Sequence, residues 1–319
     1  MVLSVILFIV GLVLICIGGD RLVDSAVVIA KKIGISEIVV GATIVSIGTT
    51  LPEILVSGAA AFDGSAAIAA GNAFGSIICN TALIAGLSQT IRPIKSISRF
   101  SLIWRFFIFL GMAAMLEIVS VSFGGVGRVI GIILLAGFVV YALLSIKLAS
   151  KENEAEEDND SIQKAKEQSA IKHIIIMAIC AVMLYFGANL LVDNGIIIAE
   201  AVGISERVIA VTFIALGTSL PELVTSMMSI RKGYANVGLG NIIGANLLNL
   251  LLVIGIPTTI AGSLPVGPSV YILDIPVGIA VMAVLVVPAI IRKKCSRIQG
   301  IILLGIYVGY CIISFAQNN

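Results

Sequence analysis

The sequence predicts an all-α polytopic membrane protein whose ten transmembrane helices form two inverted five-helix repeats. Three observations predict it: an apolar composition, ten apolar runs of spanning length, and an ungapped internal repeat. Of the 319 residues, 59% are hydrophobic and only 12% are charged. A soluble domain carries about 25% charged residues, so this chain has too few to cover a water-facing surface.

The ten runs lie at about residues 3–28, 36–62, 66–89, 102–121, 127–149, 171–198, 205–230, 235–260, 270–290 and 298–316. A helix crosses a bilayer with roughly 20 residues, which each run approaches or exceeds. The first, from Val2 to Gly19, has no basic leader and no cleavage box, and is read as a retained helix rather than a signal peptide. Connections are short except for Ser150 to Ala170, whose Glu, Asp, Asn and Lys cannot bury a core and mark a solvated linker. Within it, Glu152–Asp160 lacks the glycine and spacing of a Ca²⁺-binding loop. The cysteines, Cys16, Cys79, Cys180, Cys295 and Cys311, are scattered and form neither a disulfide framework nor a zinc spacing.

Lysine and arginine set the orientation. With the N-terminus outside, the cytoplasmic loops and adjoining helix ends carry Arg21, Lys31 and Lys32, then Arg92, Lys95, Arg99 and Arg105. They continue with Lys147, Lys151, Lys164, Lys166 and Lys172, then Arg231 and Lys232, then Arg292, Lys293, Lys294 and Arg297. All but Arg128 and Arg207 of the 20 basic residues fall on that side, as the positive-inside rule requires. Both termini are therefore expected outside and the acidic linker in the cytoplasm.

A shift of 169 residues lays Gly18–Asn80 on Gly187–Asn249 without a gap. Gly34-Ile-Ser-Glu37 meets Gly203-Ile-Ser-Glu206, and Leu22-Val-Asp24 meets Leu191-Val-Asp193. Gly48-Thr-Thr-Leu-Pro-Glu53 meets Gly217-Thr-Ser-Leu-Pro-Glu222, and Gly71-Asn-Ala-Phe-Gly75, running on to Asn80, meets Gly240-Asn-Ile-Ile-Gly244, running on to Asn249. The chain thus divides into a first repeat, 1–149 (motif about 41–80), the linker 150–170, and a second repeat, 171–319 (motif about 210–249). Five spans is an odd number, so the second copy enters the membrane from the opposite side. Inverted repeats of this kind build secondary transporters, with the binding site at the midplane.

The duplicated motifs also hold the polar atoms. Glu53 and Glu222 fall near the middle of their spans, where an unpaired carboxylate costs at least ~2.5 kcal/mol. No Lys or Arg lies at matching depth, which leaves a bound cation or a proton to compensate them. Pro52 and Pro221 lack an N–H and are expected to free carbonyls around Ser46–Thr49 and Ala215–Thr218, with Gly48 and Gly217 permitting the bend. Thr49 and Thr50 precede Glu53 by four and three residues, which puts their hydroxyls on the face of that carboxylate, and Thr218 and Ser219 do the same for Glu222. Ser76 and Asn80 share a face, as do Ala245 and Asn249. Carboxylates, carbonyls, hydroxyls and amides make an all-oxygen site for a hard cation; Ca²⁺ takes 6–8 oxygens at about 2.3–2.6 Å, and two glutamates neutralise one Ca²⁺. With no His or Cys suitably placed, zinc and copper fit poorly.

These paired motifs resemble the two alpha-repeats of the sodium/calcium exchanger family, over essentially the whole chain, and most of all its short prokaryotic members. The resemblance implies antiport of Ca²⁺ against Na⁺ by alternating access, with four ion sites in a diamond and spans 1 and 6 sliding across the other eight. Carried over position by position, it implies Glu53 and Glu222 as Ca²⁺ carboxylates, assisted by the Thr49 and Thr218 carbonyls. Sodium would use those four, the Ser46 and Ala215 carbonyls, and the hydroxyls of Thr50, Ser76 and Ser219, with Asn80 and Asn249 lining the middle site. Two departures stand out. Asn249 replaces an Asp of several relatives, which argues against a K⁺ requirement, and Ala245 replaces the Ser that symmetry with Ser76 predicts. The second makes a proton a competing counter-ion, since Glu53 and Glu222 could carry protons when the cation leaves.

Other readings are weaker. Gly71, Gly75, Gly240 and Gly244 are read as close helix packing, Glu117, Asp24, Asp193 and Asp274 as interfacial, and His173 as a passive residue at a membrane end. No GxSxG or HExxH is present, so an enzyme is not expected, nor a cofactor, a nucleic-acid partner or an obligate protein partner. A channel also uses carboxylates and carbonyls, but broken helices in inverted repeats favour a carrier.

Overall fold

In lipid a backbone N–H or C=O finds no water to bond, so long apolar segments satisfy themselves as helices. The computed structural model describes residues 2–149, 163, 167–201 and 217–317, and these are almost wholly helical. In chain order they form α1 (Val2–Ile33), α2 (Glu37–Thr49), α3 (Leu51–Phe62), α4 (Ala67–Ile91), α5 (Arg99–Phe123) and α6 (Arg128–Leu148). The second half supplies α7 (Ala170–Ala201), α8 (Leu220–Lys232), α9 (Ala235–Ala261), α10 (Val270–Arg292) and α11 (Arg297–Gln317). Among the described residues eight helices are long and apolar enough to span a bilayer, and α2 with α3, bent by 45°, makes a ninth. Helix α8 is the second half of the expected span 205–230, whose first half lies outside the described residues, as do most of the linker 150–170 and its Glu152–Asp160 run.

The two halves match in backbone as well as in sequence. Helix α2 stops at Thr50 (φ −82°, ψ 0°) and α8 is preceded by Ser219 (φ −88°, ψ 5°), positions 169 apart with nearly the same backbone angles. Each proline then occupies the first turn of the following helix, where its missing N–H costs nothing. The same repeat unit ends at Gly64 (φ +78°) and Gly233 (φ +89°), both left-handed, a conformation that glycine adopts without a Cβ penalty.

Helix α9 lies at the centre: 89% of its spanning window is buried, against 28% for α1 and 22% for α6. Glycine makes this possible. A Cβ on Gly41 would collide with the Val237 carbonyl, one on Gly240 with the Ile38 carbonyl, and one on Gly244 would sit 2.5 Å from the Ala42 carbonyl and from Ser46 Oγ. Helices α2 and α9 therefore touch backbone to backbone, as expected for Gly240 and Gly244. Gly71 and Gly75 meet nothing within 4 Å among the described residues; the counterparts of Ile38, Ala42 and Ser46 are residues 207, 211 and 215, outside that set.

Helices α1 and α7, 32 residues each, are longer than the runs 3–28 and 171–198 suggested and cross at Gly11 and Gly187. A Cβ on Gly11 would lie 2.7 Å from the Gly187 carbonyl. Their ends are tied by His173, whose ring nitrogens meet Ser25 Oγ at 3.2 Å and Gln168 Oε1 at 2.7 Å. Lys232 ties α1 to α8 through Asp20 and Asp24 at 2.8 and 2.7 Å.

Two features depart from ten regular helices. Wide π turns occupy Gly41–Val45, Cys79–Ala85, Asn249–Ile254 and Val270–Asp274. A π turn disturbs the i→i+4 ladder and persists where a neighbour takes up the displaced group; here the Tyr141 hydroxyl donates to the Ala42 carbonyl. A two-stranded antiparallel ribbon also joins Gly125–Gly127 to Ser263–Pro265. Beside it the Arg128 guanidinium rests on Gly262, past the C-terminus of α9, where a helix end favours positive charge.

Candidate functional site

Glu53 and Glu222 are completely buried, each in the first turn of a helix, α3 and α8 respectively. That position places the carboxylate among N–H groups without intrahelical partners, which offsets part of its desolvation cost. The two carboxylates lie within electrostatic reach of each other. Cys79 of α4 lies beside Ser219 and Tyr307 and near both glutamates, so α3, α4, α8 and α11 meet at one place.

The hydroxyls of Thr49 and Thr50 do not serve Glu53 as the sequence spacing predicts. Thr50 Oγ1 donates to Glu222 Oε1 at 3.3 Å, and Thr49 Oγ1 donates to Asn241 Oδ1 at 3.0 Å. Neither takes Glu53 as its partner; the 45° break removes the shared face and turns both threonines to the opposite repeat. Glu53 instead receives Ser76 Oγ at 3.4 Å. The Ser46 carbonyl keeps a helical partner, accepting the Thr50 N–H at 2.9 Å, which leaves its second lone pair for another contact. Pro52 leaves without a donor the Gly48 carbonyl, four residues before it.

Thr218 is half-buried, and Ser219 is buried with its hydroxyl unpartnered. Asn249 is fully buried with both amide atoms unpartnered, and Asn80 donates to Asn246 Oδ1 at 3.4 Å while its own oxygen has no partner. Ala215 lies outside the described residues. Ala245 is fully buried and, having no hydroxyl, gives Glu222 nothing equivalent to Ser76.

The unpartnered atoms are the chemical signature of the site. Glu53 Oε2, Glu222 Oε2, Asn80 Oδ1, Asn249 Oδ1 and Ser219 Oγ are all buried without a protein hydrogen bond. Buried polar atoms left bare cost about 1–3 kcal/mol each, more when charged. Five such oxygens contributed by both repeats suit a desolvated hard cation. Among the described residues no cluster of three or more His, Cys, Asp or Glu side chains could hold a metal, so the remaining ligands would be neutral oxygens.

Several residues escaped the sequence reading. Asn72 and Asn241 are equivalent positions; Asn241 receives Thr49, and Asn72 donates to Ser57 Oγ at 2.9 Å and to the Glu53 carbonyl at 3.5 Å. Their duplication within apolar helices was the available signal. Of the acidic residues read as interfacial, Asp24 pairs with Lys232 and Asp274 accepts the Tyr310 hydroxyl at 3.0 Å.

The chain matches the sodium/calcium exchanger protein family over residues 3–147 and 172–316. It is 34% identical over 317 residues to an uncharacterized membrane protein of Methanocaldococcus jannaschii, covering 97% of each chain. It is 30% identical over 345 residues to the sodium/calcium exchanger MaX1 of Methanosarcina acetivorans, covering 97% of this chain and 98% of that one. Its fold superposes on the sodium-calcium exchanger NCX_Mj, soaked with Na⁺ and Sr²⁺, with a TM-score of 0.82 at 31% identity, over 99% of this chain and 98% of that one.

Proposed function

The chain belongs to the sodium/calcium exchanger protein family, and from that premise we propose that it exchanges Ca²⁺ for Na⁺ at a midplane site built on Glu53 and Glu222. The observation that carries this reading is the set of buried, unpartnered oxygens drawn from both repeats, the two carboxylates among them. Ca²⁺ is held by the two charges and neighbouring carbonyls, among them those of Thr49 and Thr218. Sodium takes the same carboxylates with the hydroxyls of Thr50, Ser76 and Ser219 and the carbonyls of Ser46 and Ala215. Asn80 and Asn249 line the middle.

Because both ions need the same carboxylates, they displace each other. A doubly charged, unoccupied pair is costly to carry through a closed, dry state, which suppresses leak. Helices α1 and α7, joined by glycine contact at Gly11 and Gly187, are the pair that slides to switch access. Both termini lie outside and the 150–170 linker in the cytoplasm, as the basic residues direct.

The test is ⁴⁵Ca²⁺ uptake into proteoliposomes loaded with Na⁺ or with acid, the other gradient being clamped. Na⁺-driven uptake indifferent to pH supports the exchanger. Uptake driven by the proton gradient alone replaces Na⁺ by H⁺ as counter-ion, consistent with the hydroxyl missing at Ala245. Flux that is neither saturable nor counter-ion-dependent would make it a channel.

A further inference from the structure

Asn246 is fully buried in α9, yet its counterpart in the first repeat is Ile77, so the duplication does not account for it. Its Nδ2 donates to Thr81 Oγ1 at 2.6 Å and to Met282 Sδ at 3.2 Å, and its Oδ1 accepts Asn80 Nδ2 at 3.4 Å. Chemistry fixes the direction of this chain. A thioether sulfur carries no proton and can only accept, so the Asn246 atom facing Met282 is the NH₂ group. The atom facing Asn80 is then the oxygen, which also only accepts. Asn80 must answer with its own NH₂, and its oxygen is turned away, buried and unpartnered.

We propose that Met282, Asn246 and Thr81 form a positioning relay that sets the polarity of the Asn80 amide, keeping Oδ1 rather than Nδ2 toward the transported cation. The inference rests on the reading of Asn80 as a cation ligand and says how that ligand is held. An amide has two faces of opposite sign and nearly equal shape. Flipped, Asn80 would present N–H dipoles to a cation, removing one ligand and adding a repulsive one. Met282 is fully buried in α10, so the anchoring acceptor cannot be exchanged for water. Asn249 has no such device: both its amide atoms are unpartnered, so it can turn either way.

The relay predicts an effect that depends on the chemistry of residue 80. Asn246→Leu and Met282→Leu keep the approximate volume, remove the polarity signal, and are expected to raise the Ca²⁺ concentration for half-saturation about tenfold and about threefold. In an Asn80→Asp background, where either orientation presents an oxygen and Asn246 Oδ1 faces a second acceptor, the same substitutions should not raise it. Full-length variants are read by equilibrium ⁴⁵Ca²⁺ binding as well as by uptake, so one that binds without turning over still reports. Equal losses in both backgrounds, or wild-type affinity in Asn246→Leu and Met282→Leu, overturn the relay. Wild-type affinity in Asn80→Ala overturns instead the ligand assignment beneath it.

Discussion

The Thr50 hydroxyl donates to Glu222 Oε1 at 3.3 Å, across 172 residues of sequence and from the opposite repeat. The second repeat's carboxylate is therefore completed by a hydroxyl of the first, whereas Glu53 is served by Ser76 of its own repeat. The half-helix break at Thr50 does more than free backbone: it hands this hydroxyl to the second carboxylate. Thr50→Val is expected to weaken cation binding by about 1.5–3 kcal/mol, the worth of a hydrogen bond to a charged group, while Thr50→Ser stays near wild type. Ca²⁺ titration of ⁴⁵Ca²⁺ uptake measures both; equal behaviour of the two variants would show that the hydroxyl is idle.

Glu53→Gln and Glu222→Gln keep shape and remove charge. Loss of one buried charge partner costs about 2–5 kcal/mol, which places exchange roughly 30-fold or more below wild type. Both variants should purify as folded protein, because the uncharged amide is cheaper to bury than the carboxylate. Wild-type exchange in either one removes that residue from the site.

Ala245→Ser restores the hydroxyl that the first repeat has at Ser76. One added hydrogen bond is worth about 0.5–1.5 kcal/mol, so the Na⁺ concentration for half-maximal Ca²⁺ release should fall roughly two- to tenfold. Half-saturation by Ca²⁺ should hardly move. Unchanged Na⁺ dependence would mean that the hydroxyl position beside Glu222 is not a sodium ligand.

Gly244→Ala places a methyl group 2.5 Å from the Ala42 carbonyl and 2.6 Å from the Ala42 Cα, with no flexible end to move. Overpacking of this kind costs about 1–3 kcal/mol. A lowered melting temperature in detergent is expected, together with impaired exchange, because the same contact fixes α2 beside the site. Gly305→Ala, on an exposed face of α11 with nothing within 4 Å, is the control and should be neutral or slightly stabilising.

Much of this was legible in the sequence, and the reason is symmetry. Glu53 and Glu222, Pro52 and Pro221, Asn80 and Asn249 stand out because each polar or helix-breaking residue recurs 169 positions later in an apolar context. A residue without a repeat counterpart had no such marker. Asn246 stands opposite Ile77, and Met282 lies outside the duplicated motifs, so neither could be singled out by comparing the halves. The π turns were also hidden, since they arise from contacts such as that of Tyr141 with the Ala42 carbonyl, which no local pattern encodes.

The sequence by itself determined the spans, the repeat and the inventory of oxygens, because composition, hydrophobic run length and internal duplication are properties of the chain alone. Only the tertiary structure decided which hydroxyl serves which carboxylate and which way the Asn80 amide points. Those choices are made by pairs 166 to 192 residues apart, Asn80 with Asn246, Thr50 with Glu222 and Thr49 with Asn241. Their partners are set by a 45° bend and by backbone contact at glycine, quantities that exist only once the two repeats are packed together.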